Sequence, residues 1–280
     1  RVHPGESPGQ HAAMGLLRFL CSGDPRAAQL RAQYVLKFVP MLNPDGVAWG
    51  HSRVSSRGHD LNRCYQDPTP EEHEGIAAVK ALLQCWAARG ELAVYVDCHA
   101  HAGVKGCFLY GNLREEEFMT NVAFAHLAQL NCAHLDIDKC VWSTAPKQES
   151  GRAEVGCALG LVNAYTLECN YNSGRLARPV PEPPGLGRCA AWVQEIRGPR
   201  MGNGRFAPVP YDPCAWGAVG EALAVAVLDL CGANPHSRLL AAKPPKLVSA
   251  NNNERGHGGD ILALLQHVWE ELLSRHRAAA

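Results

Sequence analysis

Apolar positions Met14, Leu16, Leu17 and Leu20 share one helical face before Ser22-Gly23-Asp24-Pro25 stops the run. Tyr34 to Pro40 is rich in β-formers and predicts a buried strand leading into a turn at Asn43-Pro44-Asp45-Gly46. A polar, arginine-containing stretch, 47 to 70, precedes a predicted helix over about 71–89, whose first turn carries Glu71, Glu72 and Glu74. Leu92–Asp97 and Gly106–Tyr110 read as strands, about 115–131 as a helix, and Leu161–Leu167 as a further strand. Glu221–Leu230 predicts a strongly apolar helix packed on the sheet. Strands alternating with helices predict an α/β fold, with a mixed, mostly parallel central sheet flanked by helices as an α/β/α sandwich.

The pattern also marks joints. Residues 178–212 are crowded with Pro and Gly and read as an insertion, 233–259 as a linker. A C-terminal amphipathic helix is expected over 260–280, capped by Asp260, with Ile261, Leu264, Leu265, Val268, Leu272 and Leu273 in one stripe.

At 280 residues and 46% hydrophobic content the chain can fill a sizeable core. Lys plus Arg equals Asp plus Glu at 27 each, so no global field draws it to nucleic acid or a membrane surface. No apolar stretch is expected to reach the roughly 18 residues of a membrane helix. The chain opens on Arg1-Val2-His3-Pro4 with no signal-like stretch, and the expectation is that the natural N-terminus lies upstream. Its 12 cysteines are scattered singly with no C-x-x-C pair, which predicts reduced, mostly buried thiols in a cytoplasmic protein.

Candidate chemistry begins at His3-Pro4-Gly5-Glu6. Pro-Gly is the preferred centre of a type II turn, which brings its first and fourth residues within about 7 Å. Imidazole and carboxylate presented together suit a zinc ion. A third ligand is expected from His99 or His101, because His99 falls at the C-terminal end of a predicted strand. Asp60-Leu61-Asn62-Arg63 and Arg53 supply arginines: one fork can read a carboxylate, and another near a metal can stabilise an oxyanion. Tyr165-Thr166-Leu167-Glu168 closes a buried strand on a carboxylate, as the base of a metal-assisted hydrolase would.

Together His-Pro-Gly-Glu-Ser-Pro, Met-Leu-Asn-Pro-Asp-Gly, Asp-Leu-Asn-Arg, Asp-Cys-His-Ala-His and Tyr-Thr-Leu-Glu-Cys-Asn-Tyr-Asn resemble, in order, the motifs of the M14 metallocarboxypeptidases. More narrowly the chain resembles the cytosolic carboxypeptidases, which shorten glutamate chains on tubulin. Gly50 through Gly58 and Glu168 through Arg175 look most like their type 5 branch, associated with branch-point glutamates. The resemblance implies a catalytic domain over 1–232, truncated at its N-terminus, with one zinc ion per chain held by His3, Glu6 and His99. It implies Asp60 orienting a ligand histidine, Arg53 at the oxyanion, and Asn62 with Arg63 on the substrate's terminal carboxylate. Glu168 becomes general base and then acid for water that zinc activates. Family spacing also points to Arg152 as the partner of an acidic substrate side chain. Glutamylated tubulin tails or other glutamylated proteins are the implied partners, and the cytoplasm, with the cytoskeleton or nucleus besides, the implied location.

The chain departs from the family where relatives carry an aromatic and a basic residue after the Arg152 segment, since it has Gly156 and Cys157. Two alternatives remain on the sequence alone: a catalytically silent tubulin-binding module, and an aspartoacylase-like zinc amidohydrolase. The latter lacks the Asn-Pro-Asp-Gly and Tyr-Thr-Leu-Glu contexts found here.

Overall fold

The computed structural model describes residues 1–113, 118–143, 149–175, 180–186, 207–241 and 258–279. Most of the 178–212 insertion and of the 233–259 linker, and the side chains of Ile261, Leu264 and Leu265, lie outside the described residues.

The elements run α1 (Ser7–Leu20), α2 (Pro25–Gln33), α3 (Pro44–Ala48), α4 (Glu74–Ala88), β1 (Tyr95–His101), β2 (Cys107–Asn112), α5 (Phe118–Asn131) and β3 (Val141–Ser143). They continue with α6 (Gly151–Ala153), β4 (Ala164–Asn170), β5 (Ser173–Gly174), β6 (Val209–Pro210), α7 (Pro213–Cys231) and α8 (Gly258–Ala279). The main sheet has the order β1-β4-β2-β3. β1 is parallel to β4 and β2 to β3, while β2 meets β4 antiparallel. It is the mixed, mostly parallel sheet flanked by helices that the alternating pattern predicts.

Period-two alternation divides the sheet's two faces. Tyr165, Leu167 and Cys169 of β4 join Cys107 and Leu109 of β2 in the main core, under α1, α5, α7 and α8. A fully buried leucine such as Leu167 stabilises by about 1.5–3 kcal/mol. Beneath the other face, Leu83 of α4 packs with Val155 and Ala164. That second face carries Asp97, His99 and Glu168.

Several expectations change. Tyr34 to Pro40 is not a strand: Val35 is 86% exposed, with Leu36 and Val39 also exposed. β-formers become a strand only beside a ladder, and here the Tyr34 N–H closes α2 on the Leu30 carbonyl while Arg1 bonds to Pro40, Leu42 and Asn43 at the far end. Asn43-Pro44-Asp45-Gly46 is the capped start of α3, with Asn43 Oδ1 accepting from the Gly46 N–H at 3.0 Å. β3 escaped the pattern because it is only three residues long.

α7 is 19 residues long with a mean hydropathy of 1.6 in its 18-residue window, long and apolar enough to cross a membrane, contrary to the expectation. In this fold 61% of that window is buried, in the main core and a smaller cluster under α1 and α2. α8 starts at Gly258, so Asp260 lies inside the helix and is not its cap. Its Trp269, Leu272 and His276 are buried, and His276 Nε2 lies 2.9 Å from the Asp229 carbonyl, docking the tail on α7. The eleven described cysteines are all free, but only Cys107, Cys132 and Cys169 are buried, so the expectation of mostly buried thiols is corrected.

Candidate metal centre

The His3–Glu6 turn closes through a Glu6 N–H to His3 carbonyl bond of 3.3 Å. Gly5 is not among the glycines with positive φ, so the turn is not the type II turn that Pro-Gly suggested. Gly5 is needed for space instead, because a Cβ there would sit 2.8 Å from the Ser52 carbonyl oxygen, which accepts the Gly5 N–H at 2.9 Å. Glu6 occupies the N-cap of α1 without using its side chain to cap it. The carboxylate, favoured near a helix's positive end, turns to β1. Gly9 permits this approach: a Cβ there would stand 2.7 Å from the Cys98 carbonyl oxygen and 2.8 Å from that of His99.

Three side chains therefore converge. Glu6 Oε1 lies 2.7 Å from His3 Nδ1, Glu6 Oε2 lies 2.8 Å from His99 Nδ1, and the two Nδ1 atoms are 3.2 Å apart. One ligand atom from each residue falls within 4.8 Å of the others. The far nitrogens face carboxylates: His3 Nε2 to Asp60 Oδ1 at 2.9 Å and His99 Nε2 to Asp97 Oδ2 at 2.7 Å. With each Nε2–H donated outward, both Nδ1 lone pairs point inward. If both Nδ1 atoms carried hydrogens as well, two would crowd a 3.2 Å gap. A cation taking both lone pairs and Glu6 removes that conflict, and the His₂Glu donor set suits zinc.

The electrostatics agree. Burial opposes ionisation of Glu6, yet hydrogen bonds from His3 and His99 hold its carboxyl well below the usual range. Burial also lowers His99, but the carboxylates of Asp97 and Glu6 outweigh it and push the ring up to about 10. The surroundings of His99 thus favour positive charge at this position.

Glu168 stands directly opposite His99 in the parallel β1–β4 register. Burial, with help from Glu6 and Asp97 and against His99, pushes its carboxyl up to about 7. Its Oε2 is buried without a hydrogen-bond partner.

The remaining expected residues divide. Arg53 donates through Nε and Nη2 to Asp60 Oδ2 at 2.9 and 2.7 Å, and its Nη1 lies 3.8 Å from Glu6. Asn62 is buried, with Nδ2 3.1 Å from His99 Nε2 and Oδ1 accepting the Gly151 N–H at 3.0 Å. Its Oδ1 is thus committed to the Gly151 backbone, while its amide N–H groups, which find no acceptor in a His99 Nε2–H, remain available as donors. Arg63 Nη1 donates to the Asn62 carbonyl at 2.6 Å. Arg152 is buried, donating to the Gly111 carbonyl at 2.8 Å and to Asn112, while its Nε has no partner. His101 turns away, its Nδ1 accepting from the Gly103 and Val104 N–H groups, so the structure brings His99 and not His101 to the centre.

Asp97 escaped the sequence reading, although it lies two residues before His99 on the same strand face, where period two predicts a neighbour. Asp97→Asn is expected to lower zinc affinity about 10–100-fold while the fold persists. Competition with a chromophoric chelator and circular dichroism measure the two.

A histidine–glutamate–histidine set that could hold a metal ion, at the carboxyl end of a parallel strand pair with a desolvated carboxylate on the adjoining strand, marks the site of this α/β domain. The chain carries a domain of the zinc carboxypeptidase family, peptidase M14, which residues 1–133 match. Cytosolic carboxypeptidase-like protein 5 of Danio rerio is 31% identical over 366 residues, covering 89% of this chain and 40% of the relative. Its Homo sapiens counterpart is 29% identical over 355 residues, covering 89% and 38%. Cytosolic carboxypeptidase 6 of Caenorhabditis elegans is 34% identical over 253 residues, covering 88% and 50%. The chain therefore spans half or less of these relatives' length. Among solved structures, a metallo-carboxypeptidase from Burkholderia cenocepacia shares the fold with a TM-score of 0.62 at 20% identity, covering 82% of this chain and 55% of its own. One from Pseudomonas aeruginosa, in complex with (2-guanidinoethylmercapto)succinic acid, gives 0.62 at 19%, covering 81% and 54%.

Proposed function

We propose that this chain is the catalytic part of a zinc metallocarboxypeptidase that removes glutamate from the ends or branch points of glutamylated proteins such as tubulin. The observation that carries the reading is the convergence of His3, Glu6 and His99 beside a desolvated, unpartnered Glu168. His3, Glu6 and His99 would hold the zinc, which when bound polarises the scissile carbonyl and acidifies water. Glu168, raised towards neutrality, takes a proton from the attacking water and returns it to the departing amine. Arg53, already 3.8 Å from Glu6, donates to the oxyanion as the carbonyl becomes tetrahedral, while Asp60 holds its fork in place. Asn62, through its amide N–H groups, and the half-buried Arg63 guanidinium donate to the substrate's terminal carboxylate.

The glutamate side chain falls to Arg152. A buried guanidinium with an unpaired Nε is costly unless a carboxylate arrives to satisfy it. Burial already lowers its pKa, with Glu168 and Tyr110 acting in the other direction. Arg152→Ala is expected to erase the preference for glutamate over leucine or lysine, and Arg152→Lys to retain part of it. A competition assay on mixed peptides that found the preference unchanged in Arg152→Ala would remove Arg152 from specificity.

The names of the cytosolic relatives support a cytoplasmic location, and tubulin as substrate would bring the activity to the cytoskeleton. The test is bound zinc together with glutamate released from linear and branched glutamylated peptides. Zinc without release that depends on Glu168 would leave a binding module. Release from linear peptides alone would reject branch-point specificity.

A further inference from the structure

Outside the centre, one other described cluster sets imidazole and carboxylate ligand atoms within 4.8 Å of one another: His59, Glu72 and His73. His73 Nε2 lies 3.1 Å from His59 Nδ1, and the rings tilt at 41° with centroids 5.0 Å apart. Two nitrogens on a tetrahedral zinc, each at about 2.0–2.1 Å, stand roughly 3.3 Å apart. The 3.1 Å gap fits that edge as well as the 3.2 Å gap between His3 and His99 does.

His73 is positioned through its ring and His59 through its backbone. His73 occupies the N-cap of α4 but spends no side-chain bond on capping. Its Nδ1 instead accepts the Thr69 N–H at 3.2 Å and lies 3.4 Å from Thr69 Oγ1, an arrangement that leaves the ring hydrogen on Nε2 until an ion binds. The backbone of His59 is clamped on Ser55: the Ser55 N–H donates to the His59 carbonyl at 2.8 Å, and Ser55 Oγ accepts the His59 N–H at 3.2 Å. Glu72, exposed on the preceding turn, supplies the anionic ligand.

We propose that His59, Glu72 and His73 form a second site for a zinc-like divalent transition metal, with water completing the shell. Binding displaces the hydrogen shared across the His59–His73 contact. His73 then carries its hydrogen on Nδ1, where the Thr69 hydroxyl turns to accept it, and the exposed Thr69 N–H passes to water. The site's position gives it a purpose. It ties the start of α4 to the loop that ends in Asp60, whose carboxylate holds both His3 and Arg53. An ion there braces the loop that orients the first centre. The proposal does not depend on the peptidase reading, because it concerns ligation alone.

The test strips the full chain of metal and titrates Zn²⁺ against a chromophoric chelator, with Co²⁺ absorption reporting coordination. The wild type should take two equivalents. His59→Ala and His73→Ala should take one, and Glu6→Ala should keep the second equivalent alone. Glu72→Gln, an exposed change that leaves packing intact, should weaken the second equivalent about 10–100-fold. Circular dichroism checks the fold of each variant. One equivalent in the wild type, unaffected by Glu72→Gln or His73→Ala, would overturn the proposal. So would two equivalents of which neither responds to these changes. If the first centre fails instead, Glu6→Ala leaves the zinc count unchanged while Glu72→Gln still lowers the affinity.

Discussion

Glu168→Gln is expected to reduce glutamate release by about 10²–10⁴-fold while leaving the zinc content intact, because the substitution removes a proton carrier and touches none of the three ligands. The same change should stabilise the metal-free protein. Glu168 moves from 4.5 to about 7 on folding, chiefly through burial. A raised carboxyl costs nothing below pH 4.5, where it is protonated folded or unfolded. Its penalty grows as pH rises and is complete above about 7, reaching roughly 3 kcal/mol at about 1.4 kcal/mol per unit. Glutamine occupies the site without charge and escapes the penalty. Urea melts of the zinc-stripped protein should therefore separate wild type from variant by about 3 kcal/mol at pH 8 and converge at pH 4. Equal stability at pH 8 would mean that Glu168 is solvated and has no burial-raised basicity. A loss of activity with a gain in stability is the mark of a group kept in place for chemistry.

The sheet was legible because β4 and β1 combine alternation with long apolar runs, and their partner helices have clear stops. The predicted strand ends were displaced towards the N-terminus by a few residues: β1 starts at Tyr95, not Leu92, and β4 continues past Glu168 to Asn170. Local pattern marks where β-formers gather, whereas hydrogen bonding to a neighbour decides which become strand, and that neighbour is remote in sequence. Tyr34 to Pro40 shows the converse, a strong β pattern without a ladder.

Of the site, the residues with unusual chemistry were readable and their supports were not. His3, Glu6 and His99 stand out by type and motif, and the fold brings them together. Gly5 and Gly9 matter because of backbone atoms they must approach, at Ser52 and Cys98, and no local signal in sequence reports those partners. Asp97 looked like an ordinary strand residue until its carboxylate was found on His99. Asn62 is marked by its motif, but the motif does not report that its Oδ1 also accepts the Gly151 N–H, a partner remote in sequence.

Zinc affinity should climb steeply with pH, by roughly tenfold per unit between about pH 7 and 9, as one proton leaves for each zinc bound. The proton belongs to His99, which Asp97 and Glu6 push up to about 10 in the metal-free protein. Its attraction to Glu6 is the same one that holds Glu6 low, so the pair is counted once. For His99 the stabilising contribution is complete below its unfolded value of about 6.5 and is lost as pH rises through 10. For Glu6 it is present above 4.5 and lost as pH falls through its depressed folded value. Metal-free stability should therefore peak between about pH 4.5 and 6.5, and the rising cost of Glu168 steepens the alkaline side. Zinc reverses this trend, because deprotonating His99 frees the lone pair that the ion takes. Calorimetric titration in buffers of different ionisation enthalpy counts the protons released. Glu6→Gln should lower both the count and the affinity, since it removes the carboxylate that raises His99 and one of the ion's three ligands. A release near zero in the wild type at pH 7.5 would show that His99 is already neutral there, and the centre would then be organised by the ligands' geometry without the stored charge.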